Sequence, residues 1–321
     1  MFYKKHKNKT LFISLFKHFM LKLYSKKIYD FTGENMEKLN GTQVAYDTKE
    51  SLRKDIEENM LNKGLPAPKL VVIMVGDNPA SKVYVGGKVK ACAQVGIQSE
   101  VYNLPANAKE DEVALVINKL NKDKTVNGIL LQLPMPDHID EQKMINLISP
   151  EKDVDGLTKL NLGKLMSKDP TGLFGCTPSG IIKILQDYNI EIKGKDVVIV
   201  NRSLLVGKPL ALMFLNENAT VTICHSKTKD MNEKLRNADI VVIAVGKKDF
   251  LTADMVKEGA IVIDVGINRD EKTNKICGDV DYEAVSKKAS YITPVPGGVG
   301  PMTIAMLLRN TYIATMFQNK K

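Results

Sequence analysis

Apolar positions along the chain switch between two repeats, and each switch marks an element. Between Thr42 and Asn62 the residues Val44, Leu52, Ile56 and Met60 recur at multiples of four, and Gly64 and Pro66 close the segment, which predicts an amphipathic helix. The run Leu70-Val71-Val72-Ile73-Met74-Val75 stops at Gly76 and passes through Asp77-Asn78-Pro79 into Ser81 to Gly96. That order predicts strand, turn and a helix capped by Ser81. A short strand near Val101 follows, then a helix from Lys109 with Val113, Val116, Ile117 and Leu120 on one face. Its first turn carries Glu110, Asp111 and Glu112, the sign that the helix dipole favours there. Asn127 to Leu133 reads as a buried parallel strand, broken by Pro134 and Pro136. Alternating strands and helices up to about Pro150 predict a first α/β domain.

The alternation then starts again. Thr177-Pro178 offers an N-cap and an N1 proline for a helix through Ile181, Leu185 and Tyr188. Four apolar runs follow, Val197 to Val200, Thr220 to Ile223, Ile240 to Val245 and Ala260 to Gly266, with helical connections that include one from Lys208. They predict a doubly wound, Rossmann-like nucleotide-binding domain. A Gly/Pro-rich turn leads to a last helix from about Val299 to Phe317, expected to pack back on the first domain. The organisation is therefore a basic extension over 1–35, a first α/β domain over 36–155, a Rossmann-like domain over 156–295 and a C-terminal helix over 296–321.

Composition narrows the class without naming a function. A chain of 321 residues, 44% hydrophobic and 26% charged, can bury the cores of two soluble domains. No tryptophan and 6% aromatic residues offer no stacking surface for sugars or single strands. The net charge is +9, but the first 35 residues hold eight Lys against Asp30 and Glu34. They carry +6 of it, and the remaining +3 implies no nucleic-acid partner. In that leader Lys17, His18 and Lys22 interrupt the apolar residues, so it is too polar to span a membrane. It has no Arg and only Ser14 and Ser25, where transit peptides favour both. An upstream stretch outside the functional protein, organelle targeting and a basic membrane-surface helix all remain open for it. Cys92, Cys176, Cys224 and Cys277 lie 48 to 84 residues apart with no C-x-x-C, which reads as reduced thiols in the cytoplasm.

Candidate chemistry gathers at strand ends. Tyr84 and Lys88 stand one helical turn apart beyond the first strand, a phenol and an amine able to act on one atom, although a solvated surface lysine fits the same spacing. Gln132 is the last polar residue at the carboxyl end of its strand. Lys152-Asp153-Val154-Asp155-Gly156 puts two carboxylates beside a glycine. The other ligands of a calcium loop are missing, so no metal is expected, and a carboxylate accepting paired N–H donors from a heterocycle fits better. In the second domain the loop Asn201-Arg202-Ser203 to Gly207 lacks G-x-G-x-x-G, yet Gly207 permits close approach of a phosphate to the next helix. The second strand ends Cys224-His225-Ser226-Lys227 with no carboxylate for a free ribose. Arg202 facing Ser226 and Lys227 suits a 2′-phosphate, hence NADP over NAD. Pro294-Val295-Pro296-Gly297-Gly298-Val299-Gly300-Pro301 forms a rigid loop able to lie flat on a ligand.

Seven ordered motifs carry a resemblance over about Met36 to Phe317: V-G-D-N-P-A-S-K-V-Y-V-G-G-K-V-K-A-C from Val75, G-I-L-L-Q-L-P-M-P from Gly128, K-D-V-D-G at Lys152, C-T-P-S-G at Cys176, R-S-x-x-V-G-x-P at Arg202, C-H-S-K-T at Cys224 and P-V-P-G-G-V-G-P-M-T at Pro294. The chain resembles the FolD family of bifunctional methylenetetrahydrofolate dehydrogenase/methenyltetrahydrofolate cyclohydrolases. Two positions depart from the family pattern. Asn201 replaces a glycine of the cofactor loop, a change that the loop accommodates because Asn tolerates positive φ, and Gly86-Gly87 interrupt the catalytic helix. The resemblance implies two α/β domains with the active site in the cleft between them, and a homodimer. It makes Lys88 the catalytic lysine, with Tyr84 and Gln132 positioning it and the folate, Asp155 on the pterin, and Gly300 and Thr303 lining the folate side. Asn201, Arg202, Ser203, Ser226 and Ile267 fall in the NADP site. A shikimate-type NADP oxidoreductase would not need Lys152 to Gly156 or Gln132 in their places, and a non-catalytic NADP-binding regulator would tolerate loss of Lys88. No G-x-x-x-x-G-K-[ST] loop is present for a fused formate ligase.

Overall fold

The computed structural model describes residues 36–319, so every reading of the leader lies outside the described residues. The first unit runs β1 (Glu37–Lys38), α1 (Gly41–Asn59), β2 (Lys69–Val75), α2 (Pro79–Val95), β3 (Gln98–Leu104), α3 (Glu110–Lys122), β4 (Gly128–Leu131) and α4 (Glu141–Leu147). The second runs α5 (Lys159–Met166), α6 (Cys176–Asp187), β5 (Asp196–Val200), α7 (Gly207–Asn216), β6 (Thr220–Cys224), α8 (Met231–Asn237), β7 (Ile240–Ile243), β8 (Ile261–Asp264), β9 (Asn268–Arg269), β10 (Ile276–Cys277), α9 (Tyr282–Val285), β11 (Tyr291–Ile292) and α10 (Val299–Gln318).

The first sheet is parallel, in the order β3-β2-β4, with Val72 opposite both Val101 and Leu130. Its strands read as apolar runs because both faces are covered, Val71 and Ile73 in one core and Leu70, Val72 and Met74 in another. Beyond β4 the backbone N–H of Ile129 donates to Lys152 O at 2.8 Å, and Ile129 bridges Asp153 in parallel. The K-D-V-D-G segment is thus laid along the sheet edge. The second sheet is also parallel, in the order β1-β11-β8-β7-β5-β6. From β5 the chain leaves toward β6 and returns to β7 on the other side, so a crevice opens above the carboxyl ends of β5 and β7. The edge strand β1 has no apolar pattern of its own; Glu37 and Lys38 pair with Tyr291 and Ile292, more than 250 residues away.

Three local expectations change. Helix α2 starts two residues before Ser81. Asn78 caps it, accepting from the N–H groups of Ala80 (2.9 Å) and Ser81 (3.2 Å), with Pro79 as the first helical residue. Ser81 is buried instead. Helix α6 starts at Cys176 after Gly175, so Thr177 lies inside the first turn, where its hydroxyl meets Thr303 Oγ1 at 2.9 Å. Gly86 and Gly87 do not break α2, which runs unbroken to Val95. Both face open space, and burial of Val85, Cys92 and Val95 holds the turns around them.

Helix α10 joins the halves. Nearly every residue from Met302 to Thr315 is buried, because α1 lies on one side and α6 on the other. Each fully buried Leu or Met side chain there contributes roughly 1.5–3 kcal/mol. Its polar residues are satisfied locally or across the joint. Thr311 donates to Leu307 O at 2.9 Å, Thr315 to Thr311 O at 2.8 Å, and Gln318 Nε2 to Asn127 O and Glu151 O, both at 2.9 Å.

Candidate active site

Lys88 leaves the buried side of α2 just beyond the carboxyl end of β2, and Gln132 follows β4, the neighbouring strand. Because the strands run parallel, the two ends coincide: Lys88 Nζ donates to Gln132 Oε1 at 2.7 Å. Gln132 is held in turn, its backbone N–H on Ile73 O at 2.8 Å and its Nε2 on Leu133 O at 2.5 Å. Asp155 and Cys176 complete the cluster. The Cys176 thiol is shared between Val154 O at 3.3 Å and the Asp155 carboxylate. Asn310, from α10, donates one N–H to Val154 O and one to Phe174 O, both at 2.8 Å, and so clamps the segments carrying Asp155 and Cys176.

Electrostatics follow from this packing. Burial lowers the Lys88 ammonium from the ordinary lysine value, while Asp155 and Cys176 act in the opposite sense. Burial raises the Asp155 carboxyl; the Cys176 hydrogen bond lowers it, Asp153 raises it and Lys88 lowers it. The Cys176 thiol is pushed well above its usual range by burial and by the adjacent Asp155, so it stays a neutral donor. Tyr84 is 47% exposed one turn before Lys88, with no hydrogen bond to the described residues. Thr303 joins the same wall through Thr177, the residue after Cys176, and Gly300 lies exposed in the first turn of α10.

The two carboxylates of K-D-V-D-G have separate duties. Asp153 is buried and accepts from Leu157 N (3.2 Å), Thr158 N (2.8 Å) and Asn161 Nδ2 (2.9 Å), which fixes the entry to α5. Lys152 is buried as well. Its Nζ donates to the carbonyls of Leu120 (2.9 Å), Asn121 (2.9 Å) and Asp123 (2.7 Å) at the carboxyl end of α3, where a cation is favoured. Only Asp155 is left to face the site.

Above β5, β6 and β7 a cavity of about 350 Å³ is lined by Val200, Asn201, His225, Ser226, Ala244 and Lys247, among others. Asn201 does not take a positive φ. Its side chain replaces backbone freedom with hydrogen bonds: Oδ1 accepts from Ser203 N (2.8 Å), Ser203 Oγ (2.8 Å) and Gly207 N (3.0 Å), and Nδ2 donates to Ala244 O at 2.6 Å. Gly207 is required by this loop itself, since a Cβ there would lie 2.1 Å from Asn201 O. Ser226, which lines the cavity, and Arg202, which follows Asn201 in the first loop, are both exposed, and Arg202 has no partner among the described residues. Ile267 is 56% exposed after β8. An apolar floor, a free guanidinium and a strand end without a carboxylate fit a dinucleotide bearing a 2′-phosphate.

The tetrahydrofolate dehydrogenase/cyclohydrolase catalytic-domain model matches residues 39–155, and the NAD(P)-binding-domain model of the same family matches residues 175–319. The chain belongs to this family. A curated relative, bifunctional protein FolD of Caldicellulosiruptor saccharolyticus, is 52% identical over 278 residues, covering 86% of this chain and 99% of the relative. The solved bifunctional FolD of Campylobacter jejuni is 50% identical at a TM-score of 0.86, covering 89% of this chain and all of that one. The Trypanosoma brucei enzyme, solved with NADP cofactor and inhibitor, is 34% identical at a TM-score of 0.85, covering 90% of this chain and all of its own.

Within this dehydrogenase/cyclohydrolase framework, the structure brings Lys88 onto Gln132 and beside Asp155 and Cys176, and Thr303 onto Thr177. Asn201 and Ser226 line the cavity above β5 to β7 and Ser203 bonds Asn201, while the side chains of Tyr84, Arg202 and Ile267, and Gly300, make no hydrogen bond to either group. Cys176 and Asn310 were missed as site residues by the sequence reading. Cys176 reads in the sequence as one more reduced thiol, and the C-T-P-S-G motif is its only signal. Nothing in the sequence around Asn310 marks its role, because both its acceptors lie more than 130 residues away.

Proposed function

We propose that the cleft carries out both reactions of its family on one bound folate, through the residues just described. The enzyme oxidises 5,10-methylenetetrahydrofolate to the 5,10-methenyl cation with NADP and hydrolyses that cation to 10-formyltetrahydrofolate. When bound, NADP takes the hydride from the methylene carbon. Arg202 and Ser226 would hold the 2′-phosphate, and Asn201, Ser203 and Ile267 would provide the rest of the nucleotide's contacts. Asp155 accepts the N–H edge of the pterin, and Tyr84, Gly300 and Thr303 flank the folate.

Lys88 manages the proton of the second step. Water loses one proton as its oxygen bonds to the methenyl carbon. The bond from that carbon to N5 then breaks as N5 takes up a proton, and the remaining O–H proton leaves to solvent as the formyl C=O forms, so that one proton is released overall. A neutral amine beside the carbon can accept the first and supply the second. Burial already favours that neutral form, and a cationic substrate favours it further. Gln132 holds the amine in place. The observation that carries this reading is the Lys88–Gln132 contact of 2.7 Å beside Asp155.

The test is an absorbance assay with 5,10-methylenetetrahydrofolate and NADP, followed by decay of the methenyl product. No NADP-dependent signal would overturn the reading.

The protein works as a homodimer in the cytoplasm. β3 is an open sheet edge beside a cavity of about 1010 Å³ lined by Val85, Gly86, Val89, Val101 and Leu104, a surface suited to a second copy. The four cysteines are unpaired, as in a reducing compartment. No described helix is long and apolar enough to cross a membrane. Light scattering should give twice the monomer mass, and a monomer at assay concentration would exclude the dimer.

A further inference from the structure

Behind the cofactor cleft lies a pair of buried carboxylates that belongs to none of the motifs used above. Asp279 is fully buried, and Asp264, at the end of β8, is 3% exposed. One oxygen of Asp279 accepts from Val245 N (2.6 Å) and Gly246 N (3.0 Å), the other from Lys247 N (2.8 Å) and Asn268 Nδ2 (2.8 Å). Asp264 accepts from the backbone N–H groups of Gly266, Asp279 and Val280, each at 3.0 Å. Two carboxylates therefore bind together the turn after β7, the turn after β8 and the segment 278–280. The packing leaves no slack: a Cβ on Gly266 would lie 2.2 Å from Asp279 Cγ, and one on Gly278 1.8 Å from Asp264 Oδ2.

The turns so held are cofactor surfaces. Val245 and Lys247 line the cavity above β5 to β7, and Ile267 precedes Asn268. Three consecutive N–H groups converging on one carboxylate cannot also turn toward the cleft. Four N–H donors match the acceptor capacity of one ionised carboxylate, and a neutral acid or amide would bring a donor of its own.

We propose that Asp279 is a positioning residue for NADP: it touches neither substrate nor cofactor, but sets the Val245-Gly246-Lys247 turn and, through Asn268, the Ile267 end of the cleft. This rests on the cofactor lying in that cleft. Asp279→Asn keeps the volume but replaces one acceptor with a donor that faces N–H groups. By calorimetry the variant's Kd for NADP should rise about tenfold or more, because buried donors lose their partner. The KM for NADP should rise in parallel while kcat changes little. In the cofactor-free protein, hydrogen exchange at Val245 to Lys247 should speed up. Hydrolysis of 5,10-methenyltetrahydrofolate, assayed without NADP, should change less than NADP binding does. Asn268→Ala, which keeps the carboxylate and removes one donor, should weaken NADP binding by a smaller factor.

Wild-type NADP affinity in Asp279→Asn would overturn the proposal. So would dehydrogenase and cyclohydrolase falling in step with thermal stability, which would make the carboxylate merely structural. An error in the cofactor reading is separable, because Arg202→Ala would then leave NADP affinity unchanged.

Discussion

The two walls of the cleft are built by opposite means. Near the candidate lysine, four side chains from separate segments, Lys88, Gln132, Asp155 and Cys176, meet in a partly buried cluster, and burial shifts the proton affinity of three of them, lowering Lys88 and raising Asp155 and Cys176. On the cofactor side, side chains hold backbone in place, Asn201 within the first loop at the cavity and the buried Asp279 under the turn after β7. Proton transfer needs a group whose charge can change, and a desolvated lysine supplies one. Binding a large, already charged nucleotide needs fixed contacts, for which rigid backbone and an exposed guanidinium suffice. Loss of the proton-handling lysine on the first wall should therefore appear in rate, loss of that wall's substrate contact in folate affinity, and losses on the second wall in cofactor affinity.

The sharpest break is Lys88→Met, which keeps the length and removes the amine. Cyclohydrolase should fall by roughly 10² to 10⁴, the usual worth of a positioned acid or base. Dehydrogenase should suffer less, so that the methenyl compound accumulates. In the wild type, cyclohydrolase should rise with pH as Lys88 loses its proton, with an inflection below the ordinary lysine value, since burial lowers it. Asp155 raises the Lys88 value, so Asp155→Asn should move the inflection lower still. Wild-type hydrolysis by Lys88→Met would reduce the lysine to a positioning residue.

Asp155→Ala comes next. Removing a carboxylate that pairs with the pterin should weaken folate binding about 10- to 100-fold, the range for a hydrogen bond to a charged group, and depress both reactions together. A fall in NADP affinity instead would place Asp155 on the other wall. Arg202→Ala should raise the NADP KM by about tenfold and the NADP/NAD preference should shrink with it, as for loss of one charge-assisted contact. Equal effects on both cofactors would show that the guanidinium does not read the 2′-phosphate.

The smallest effect separates rigidity from chemistry. Gly87 sits in open space within α2, so Gly87→Ala should stabilise the protein by up to about 1 kcal/mol, visible as a higher Tm. An unchanged or lower Tm would mean that the glycine answers to something besides helix propensity.

Periodicity alone determined the alternation of strands and helices, the Rossmann-like second half and the strand ends where chemistry gathers, because a buried parallel strand must be apolar on both faces. Residue type and order determined the candidate site list, since Lys88, Gln132, Asp155 and Arg202 each lie within a run of fixed spacing. The tertiary structure decided whatever depends on distant partners. β1 exists only because β11 offers an open edge, and α10 shows no single apolar face because it is covered on both sides. It also gave the paired carboxylates of K-D-V-D-G different surroundings, Asp153 fixing α5 and Asp155 meeting Cys176 near Lys88. Asn201 keeps its loop in shape through bonds that reach Ala244, 43 residues on, and Asp279 holds a turn more than 30 residues before it. Spacing along a chain cannot encode such pairs, because loop closure brings together whichever segments the sheet order makes neighbours.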